Sequence, residues 1–522
     1  MAYGSVISLI VVGEIIDTEN LVKRCLLAAE SRCTHHRKTI PKGDFFILKG
    51  KQMKNKIIAV MMLAGLAAVA VNAEEKPNII YILADDLGYG DLGCYGQQVI
   101  QTPNLDRMAT EGMRFTRHYA GSTVCGPSRS CMLEGKHSGH TYVRGNGKLQ
   151  MREDPHDLIF PKALQQAGYH TALIGKSGLG CNTDDASLLF KKGFDYFFGF
   201  TSHTQAHWYF PKYLWRNDGG TVTKVEYPKN TLHDGDNYSS ELVVNEALEY
   251  IERQKSGPFF LHLAFQIPHA SLRAKEEWKA KYRPILKEKP LPAKDKHTHY
   301  SYEREPKTTY AAMVSYMDHN MGLLFAKLEE LGIAENTLVM FASDNGAMQE
   351  GGHKRDSFNS NGDRRGGKRD MWDGGIATPM IAWWPGKIKP GQVTDHVSAF
   401  WDISPTVREL ASAEQQADTD GISMVPLLLS KGAQKKHDYL YWEFFEKGGK
   451  RAILKGKWKL ILYKTNTDLD PKFELFNLSK DISEAKNVAG QYPEIVSELR
   501  DLMDSARTPA ECKTFKFASE RK

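Results

Sequence analysis

The sequence predicts an α/β protein: a large, mostly parallel sheet sandwiched by helices, then a small C-terminal antiparallel β-sheet with a helix. Three observations predict it. Short apolar runs alternate with longer amphipathic stretches through most of the chain. Four of those runs end in charged or metal-competent residues, as expected where loops converge at the carboxyl edge of parallel strands. Past a polar stretch at residues 432–437, the pattern changes to closely spaced short apolar segments with turns between them.

The leader comes first along the chain. Met53-Lys54-Asn55-Lys56 is a short basic start, residues 57–71 are apolar and Ala-rich, and Val71-Asn72-Ala73 offers small residues for cleavage. Together they read as a secretory signal peptide over 53–73, with export to the periplasm or beyond. The apolar run of about 15 residues is shorter than the roughly 20 of a membrane span, so no stable membrane anchor is expected. A signal starting at Met53 makes residues 1–52 an upstream segment from a mis-called start, although residues 7–16 are apolar enough for a short membrane-associated helix.

Residues 78–84 read as the first buried strand and run into Asp85-Asp86. Residues 171–175 run into Lys176, residues 259–265 lead to Pro268-His269, and residues 337–342 lead to Ser343-Asp344-Asn345-Gly346. Helical patterns lie at 158–167, 238–254 and 310–331. In the last, Met313, Met317, Met321, Leu324 and Leu328 form a stripe that packs on a core. Beyond the break, residues 439–445, 451–454, 458–463 and 473–478 read as strands and 493–505 as a final helix. The expected division is 74–432 for the site-bearing domain and 433–522 for a small α+β subdomain.

The 522 residues, 41% hydrophobic, suffice for a sizeable core. The formal net charge of +6 belongs mostly to the leader: residues 74–522 hold 59 basic against 58 acidic residues. Charge therefore gives no argument for nucleic acid as a partner. Of seven cysteines, Cys25 and Cys33 fall in the leader. Setting Cys125 aside, Cys94, Cys131, Cys181 and Cys512 leave both two disulfides and four free thiols open.

Asp85-Asp86 and Asp344-Asn345 supply three carboxylates and an amide from two strand ends. An all-oxygen set suits a hard cation, Ca²⁺ before Mg²⁺, whereas zinc prefers nitrogen and sulfur. Either pair alone reads equally well as turn-capping acids. Cys125 opens the run Cys125-Gly126-Pro127-Ser128-Arg129-Ser130-Cys131-Met132-Leu133-Glu134-Gly135. Pro127 suits a first helical turn, which puts Cys125 at a helix N-terminus, where N–H groups and the dipole favour an anion. A thiolate nucleophile is one reading of that position.

The C-x-P-S-R run, with its small, apolar and Gly positions, resembles the signature of type I (formylglycine-dependent) sulfatases of the alkaline-phosphatase-like superfamily. Ala84-Asp85-Asp86-Leu87-Gly88-Tyr89-Gly90-Asp91 and Ser343-Asp344-Asn345-Gly346 resemble that family's calcium-binding segments. The likeness reaches Phe473-Glu474-Leu475-Phe476-Asn477-Leu478, similar to its E-L-Y-D-L. The resemblance implies that a formylglycine-generating or anaerobic maturation enzyme oxidises Cys125 to formylglycine, whose hydrate attacks sulfur. It implies one Ca²⁺ on Asp85, Asp86, Asp344, Asn345 and the modified Cys125. Arg129 would orient formylglycine, Lys176 and Lys368 would contact sulfate, and His269 would protonate the leaving alcohol.

Two motifs depart from the family. G-K-x-H-L-G becomes Gly175-Lys176-Ser177-Gly178-Leu179-Gly180, without its His. E-G-G-x-R-V-P becomes Asp373-Gly374-Gly375-Ile376-Ala377-Thr378-Pro379, without its Arg. The first leaves open which base releases sulfate, with His137, His140 and His207 as candidates. The aromatic and imidazole block from His203 to Trp215 reads equally as a sugar-stacking face or a buried cluster. Gly135-Lys136-His137-Ser138-Gly139-His140 and Arg144-Gly145-Asn146 resemble a bacterial branch acting on sulfated polysaccharides, which makes His140, Arg144 and His207 candidates for substrate contact. The expected substrate is a sulfated oligo- or polysaccharide of galactose or N-acetylgalactosamine. The alternatives are a phosphatase or phosphonate monoester hydrolase of the same superfamily, and a non-catalytic glycan-binding homologue.

Overall fold

Asn78–Asp85 has the sequence NIIYILAD, and every residue in it is buried. Such a strand needs cover on both faces, and the computed structural model of the chain provides it. Ile80, Ile82 and Ala84 enter one apolar layer, while Ile79, Tyr81 and Leu83 enter the other. The helices Ser239–Gln254 and Pro306–Glu330 cover the first face with Val243, Ala247, Ile251, Met313, Met317, Met321, Leu324 and Leu328. The helices Cys125–Glu134, Phe160–Gln166 and Ile403–Leu410 cover the second with Met132, Leu133, Phe160, Leu164, Ile403 and Val407.

The structure describes residues 8–11, 14–17, 76–147, 149–152, 159–180, 186–293 and 300–521. Residues 1–74 and 75–522 are separate units. In the first, Ser8–Val11 (β1) and Glu14–Asp17 (β2) pair antiparallel, with Leu9 opposite Ile16. The membrane-associated helix expected over 7–16 is therefore corrected to a hairpin, in keeping with its run of β-branched Val and Ile. The signal peptide at 53–73, Cys25, Cys33 and Cys181 lie outside the described residues. No described helix is long and apolar enough to cross a membrane.

In the second unit the strands are β3 (Asn78–Asp85), β4 (Met113–Tyr119), β5 (His170–Lys176), β6 (Tyr196–Phe200), β7 (Tyr213–Asp218), β8 (Thr221–Glu226) and β9 (Phe259–Pro268). β10 (Thr337–Ser343), β11 (Ala377–Trp383), β12 (Gln392–Thr394) and β13 (Ser398–Ala399) follow. They form one 11-stranded sheet in the order β12-β4-β11-β10-β3-β9-β5-β6-β7-β8, with β13 beside β4. The five central strands, β10-β3-β9-β5-β6, are mutually parallel.

The sequence pattern finds β3, β5, β9 and β10, because each has a mostly apolar, buried middle. It misses the flanks. β4 and β7 carry charged residues on half-buried faces, so no long apolar run marks them. The β7–β8 hairpin does carry a local signal: Gly219 and Gly220 both have positive φ, as a tight turn requires.

After β13 the chain builds a second sheet from β14 (Leu440–Phe444), β15 (Lys450–Lys455), β16 (Trp458–Tyr463) and β17 (Phe473–Asn477), all antiparallel. The helix Pro493–Ser505 packs on it through Val496, Leu499 and Met503. The other face of this sheet shares a core with the main body: Leu440, Trp442, Phe444 and Ile461 sit with Tyr119, Val124, Cys131 and Trp401. Residues 75–522 are thus one compact unit.

Candidate active site

Five adjacent parallel strands end at one edge of the main sheet, and each delivers a polar side chain there. β10 leads to Asp344 and Asn345, β3 ends in Asp85 with Asp86 next, and β9 leads to His269. β5 ends in Lys176, and β6 leads to His203. Asp86 adopts a left-handed φ of 69°, a conformation that Asp tolerates better than most residues. The main chain turns there, and the Asp86 N–H donates to Asp344 Oδ1 at 3.1 Å.

The Cys125–Glu134 helix points its N-terminus at this edge. Cys125 is the first residue of the helix and is 1% exposed. The Arg129 side chain, one turn on, is fully buried. It donates to Asp344 Oδ2 from Nε at 3.1 Å and from Nη2 at 2.8 Å, and from Nη1 to the Lys176 carbonyl at 2.6 Å. Lys176 Nζ meets Asp85 Oδ2 at 2.5 Å. Lys368 Nζ meets Asp86 Oδ2 at 2.7 Å, Glu350 Oε2 at 3.0 Å and His269 Nε2 at 3.1 Å.

Crowding explains the charge states. Burial alone would raise Asp85, yet Lys176, Arg129 and Lys368 outweigh it and hold that carboxyl below the ordinary range. Asp86 is raised by burial and by the neighbouring charges of Asp85 and Glu350. Asp344 is pushed up to about 7 by burial and by Asp85. Three buried carboxylates repelling one another form a site that a cation relieves.

Two atoms point the same way. Asp85 Oδ1 and Asn345 Oδ1 are buried oxygens without a hydrogen-bond partner, and such orphans need an explanation. Ligand atoms of Asp85, Cys125 and Asp344 lie within 4.8 Å of one another, as do those of Asp85, Asp86 and His269. The oxygen-rich set fits a hard divalent cation.

The thiol itself is a poor nucleophile as it stands. Burial pushes Cys125 up to about 11, against the pull of Lys176, so the thiolate reading gains nothing from the helix terminus.

The sulfatase family profile matches residues 77–413, well over half of the chain. The chain belongs to the sulfatase family. It is a sulfuric ester hydrolase, and a second profile, the N-sulphoglucosamine sulphohydrolase C-terminal region, matches residues 366–509. The N-acetylgalactosamine-6-sulfatase of Canis lupus familiaris is 30% identical over 496 residues, covering 89% of this chain and 86% of its own. Ps i-CgsB, solved in complex with k-i-k-neocarrahexaose, is 27% identical with a TM-score of 0.66, covering 83% of this chain and 93% of its own. BT4656, solved with its substrate D-glucosamine-2-N,6-O-disulfate, shares the fold: 24% identity, TM-score 0.65, 83% of this chain and 97% of its own.

The sulfatase site gathers Cys125, Arg129, Lys176, His269, Lys368, Asp85, Asp86, Asp344 and Asn345 in one place. It also includes His207, whose ring stacks on His269 at 4.5 Å. Three other candidates are elsewhere. His137 and His140 lie past the far end of the Cys125–Glu134 helix, stacked on each other at 4.2 Å. His140 Nδ1 bonds Asp420 at 2.9 Å, and His137 Nδ1 accepts the Gly139 N–H at 3.1 Å. A ten-residue helix is about 15 Å long, which takes His137 out of reach of Cys125. Arg144 is buried against Glu443 of β14 at 3.1 Å and the Thr508 carbonyl at 2.9 Å, a join to the second sheet in place of the expected substrate contact.

Three further residues join the site that are not site candidates in the sequence: His203 and Asn146 belong to stretches singled out for the substrate, and Glu350 to no motif. His203 Nε2 lies 3.3 Å from Cys125 Sγ. Asn146 Oδ1 accepts the Gly126 N–H at 3.2 Å, filling part of the helix N-terminus that the sequence suggests is free for an anion. Glu350 bridges Lys368 and Arg369. The aromatic block divides: Tyr209 and Phe210 are core residues, with the Tyr209 hydroxyl on the Gln266 and His269 carbonyls. Among the described residues, Cys94, Cys125, Cys131 and Cys512 are free thiols.

Proposed function

We propose that this sulfatase removes sulfate from a sulfated glycan carrying galactose or N-acetylgalactosamine, after Cys125 has been oxidised to formylglycine, with one calcium ion in the acidic cluster. The single observation that supports the site assignment most is the pair of unpartnered buried oxygens, Asp85 Oδ1 and Asn345 Oδ1, with Asp85 in one cluster with Cys125 and Asp344 and the Asn345 amide on Asp86 Oδ1. Asp85, Asp86, Asp344 and Asn345 are the residues to hold the cation, which supplies positive charge and orients the nucleophile. Formylglycine, as its hydrate, supplies an oxygen nucleophile in place of a thiol whose pKa is high.

The chain's own groups perform the rest. Lys176 and Lys368 place two ammonium groups at the site floor, where charge develops on the sulfate oxygens during transfer. Arg129 fixes Asp344 and the end of β5 together. His269 is held well below its usual range by burial, Lys368 and His207, and so is neutral in the free protein. Its Nδ1–H is directed at the Ala270 carbonyl. Its Nε2 therefore accepts a hydrogen bond from the Lys368 ammonium, and the Lys368–His269 pair is the acid for the departing alcohol. The substrate class draws on the names of two of the proteins above, the N-acetylgalactosamine-6-sulfatase and the structure holding k-i-k-neocarrahexaose. The apolar run at 57–71 supports export to the periplasm or beyond, where such glycans occur.

The test has two arms. The mass of the proteolytic peptide containing Cys125, from protein made with a maturation enzyme, should show the loss that accompanies conversion of thiol to aldehyde. Converted protein should then release sulfate from sulfated galactose or N-acetylgalactosamine oligosaccharides. An unmodified peptide overturns the nucleophile. Phosphate-ester turnover well above sulfate release overturns the substrate class, and absence of all turnover in converted protein favours a binding protein.

A further inference from the structure

We propose that His203 is the base that releases sulfate from residue 125, in the role left vacant at Gly178. This rests on the function proposed above and assigns one of its steps.

Gly178 has a φ of +71°, and a Cβ built there would lie 2.3 Å from Arg129 Cδ and 2.9 Å from Arg129 Nε. An imidazole at that position would displace the guanidinium that holds Asp344. The next parallel strand offers another route to the same place. β5 and β6 are paired with Lys176 opposite Phe200, and the Ser177 N–H donates to the Phe200 carbonyl at 3.2 Å. The loops after the two strands therefore leave the sheet side by side, and the one after β6 brings His203, three residues past the strand, to Cys125.

Its Nε2 is 3.3 Å from Cys125 Sγ, the atom bonded to the carbon that oxidation turns into the aldehyde. Its Nδ1 is buried without a hydrogen-bond partner. His207 packs edge-on against His203 at 5.5 Å and face-on against His269 at 4.5 Å. The three rings form a wall with His203 at the nucleophile and His269 at Lys368, so two proton transfers have two separate imidazoles.

Once the sulfuryl group has passed to one oxygen of the hydrated aldehyde, the other oxygen still carries its proton. His203 Nε2 accepts that proton. The O–H electron pair becomes the second bond of the carbonyl, the bond from carbon to the sulfated oxygen breaks, and sulfate leaves with that pair. The proton passes from His203 to water, and a water molecule adds to the aldehyde to restore the hydrate.

The experiment uses converted protein carrying His203→Ala or His203→Gln, with an aryl sulfate as probe. Both variants should release a burst of phenol close to one per converted site and then turn over about 100-fold or more below the parent. Peptide mass after quenching should show a sulfuryl group retained on residue 125. His203→Gln keeps a polar side chain of similar reach and serves if the Ala variant fails to fold, as judged by its melting curve. Undiminished steady turnover, or burst and steady rate falling together with no retained sulfate, overturns the proposal. Failure of the parent converted protein to cleave the aryl sulfate would instead overturn the sulfatase mechanism itself.

Discussion

Among single residues, Asn345 offers the cleanest expectation. Asn345→Ala removes one neutral oxygen from a cluster of three carboxylates without adding charge. Loss of such a ligand should weaken calcium binding about 10- to 100-fold, or about 1.4–2.8 kcal/mol. Calorimetric titration of metal-free protein measures this, and unchanged affinity takes Asn345 out of the ligand set. Cys125 makes a second prediction. In metal-free, unconverted protein its thiol is pushed up to about 11 by burial, so the reactive thiolate fraction rises with pH until that value. Alkylation by iodoacetamide should therefore accelerate from pH 8 to 10, and a rate that levels off below pH 8 contradicts the buried thiol. At this scale the sequence is legible where special residue types stand together, as in Asp85-Asp86, Asp344-Asn345 and the Cys125 run. It names His203 and Asn146 only as parts of stretches that resemble substrate-binding ones, and does not show that they reach Cys125 and Gly126, because strand order and a returning loop bring them there. Nearness in sequence also misleads: His137 follows the nucleophile helix by three residues, yet the helix itself separates it from Cys125.

Among elements, the loop bearing Lys368 is locked by glycines. A Cβ at Gly346 would lie 1.9 Å from the Gly374 carbonyl oxygen, and one at Gly375 would lie 2.1 Å from that of Asp370. The Gly374-Gly375 pair thus lets the Lys368 loop press against the loop of Asp344 and Asn345. Asp373, just before them, turns away from the site. It takes a proton donor from Lys459 of β16 at 2.6 Å, and Lys459 also meets Glu484 at 2.8 Å. All three side chains are buried. Lys459→Ala would strand two carboxylates in the interior and should cost about 3–5 kcal/mol, since breaking a buried ion pair leaves uncompensated charge. Chemical denaturation reads the loss, and a cost below about 1 kcal/mol would mean that water reaches the pair. The motif around Asp373 is visible in sequence, but its purpose is not. Only the register of β16 shows that the acid is tied to the second sheet and not to the substrate.

For the whole molecule, the shared core of Tyr119, Val124, Cys131, Leu440, Trp442 and Phe444 predicts a single cooperative unfolding transition for residues 75–522. A chain ending at residue 432 should fail to fold, which solubility and circular dichroism would show. Calcium at about 100 times its dissociation constant should add about 2.7 kcal/mol, because ligand bound only by the folded state stabilises it. A melting temperature indifferent to calcium and chelator would argue against the metal site. The change of pattern at 432–437 stands just ahead of β14, the first strand of the second sheet. It does not reveal that the two sheets share one interior, because apolar strand faces look alike in sequence whatever they pack against.

The same shared core sets a clock. Cys125 is almost fully enclosed in the folded protein, and the chain around it is pinned to the second sheet: Val124 and Cys131 share a core with Trp442 of β14, whose indole N–H donates to the Ala120 carbonyl. Ribosomes add roughly 5–20 residues per second, so β14 emerges roughly 15–60 s after residue 125. During that interval the nascent segment is open to an enzyme that must grip the backbone around residue 125, and afterwards that backbone is a packed helix. Conversion should therefore succeed on growing or unfolded chains and on a peptide spanning residue 125, and fail on protein already folded with its cysteine intact.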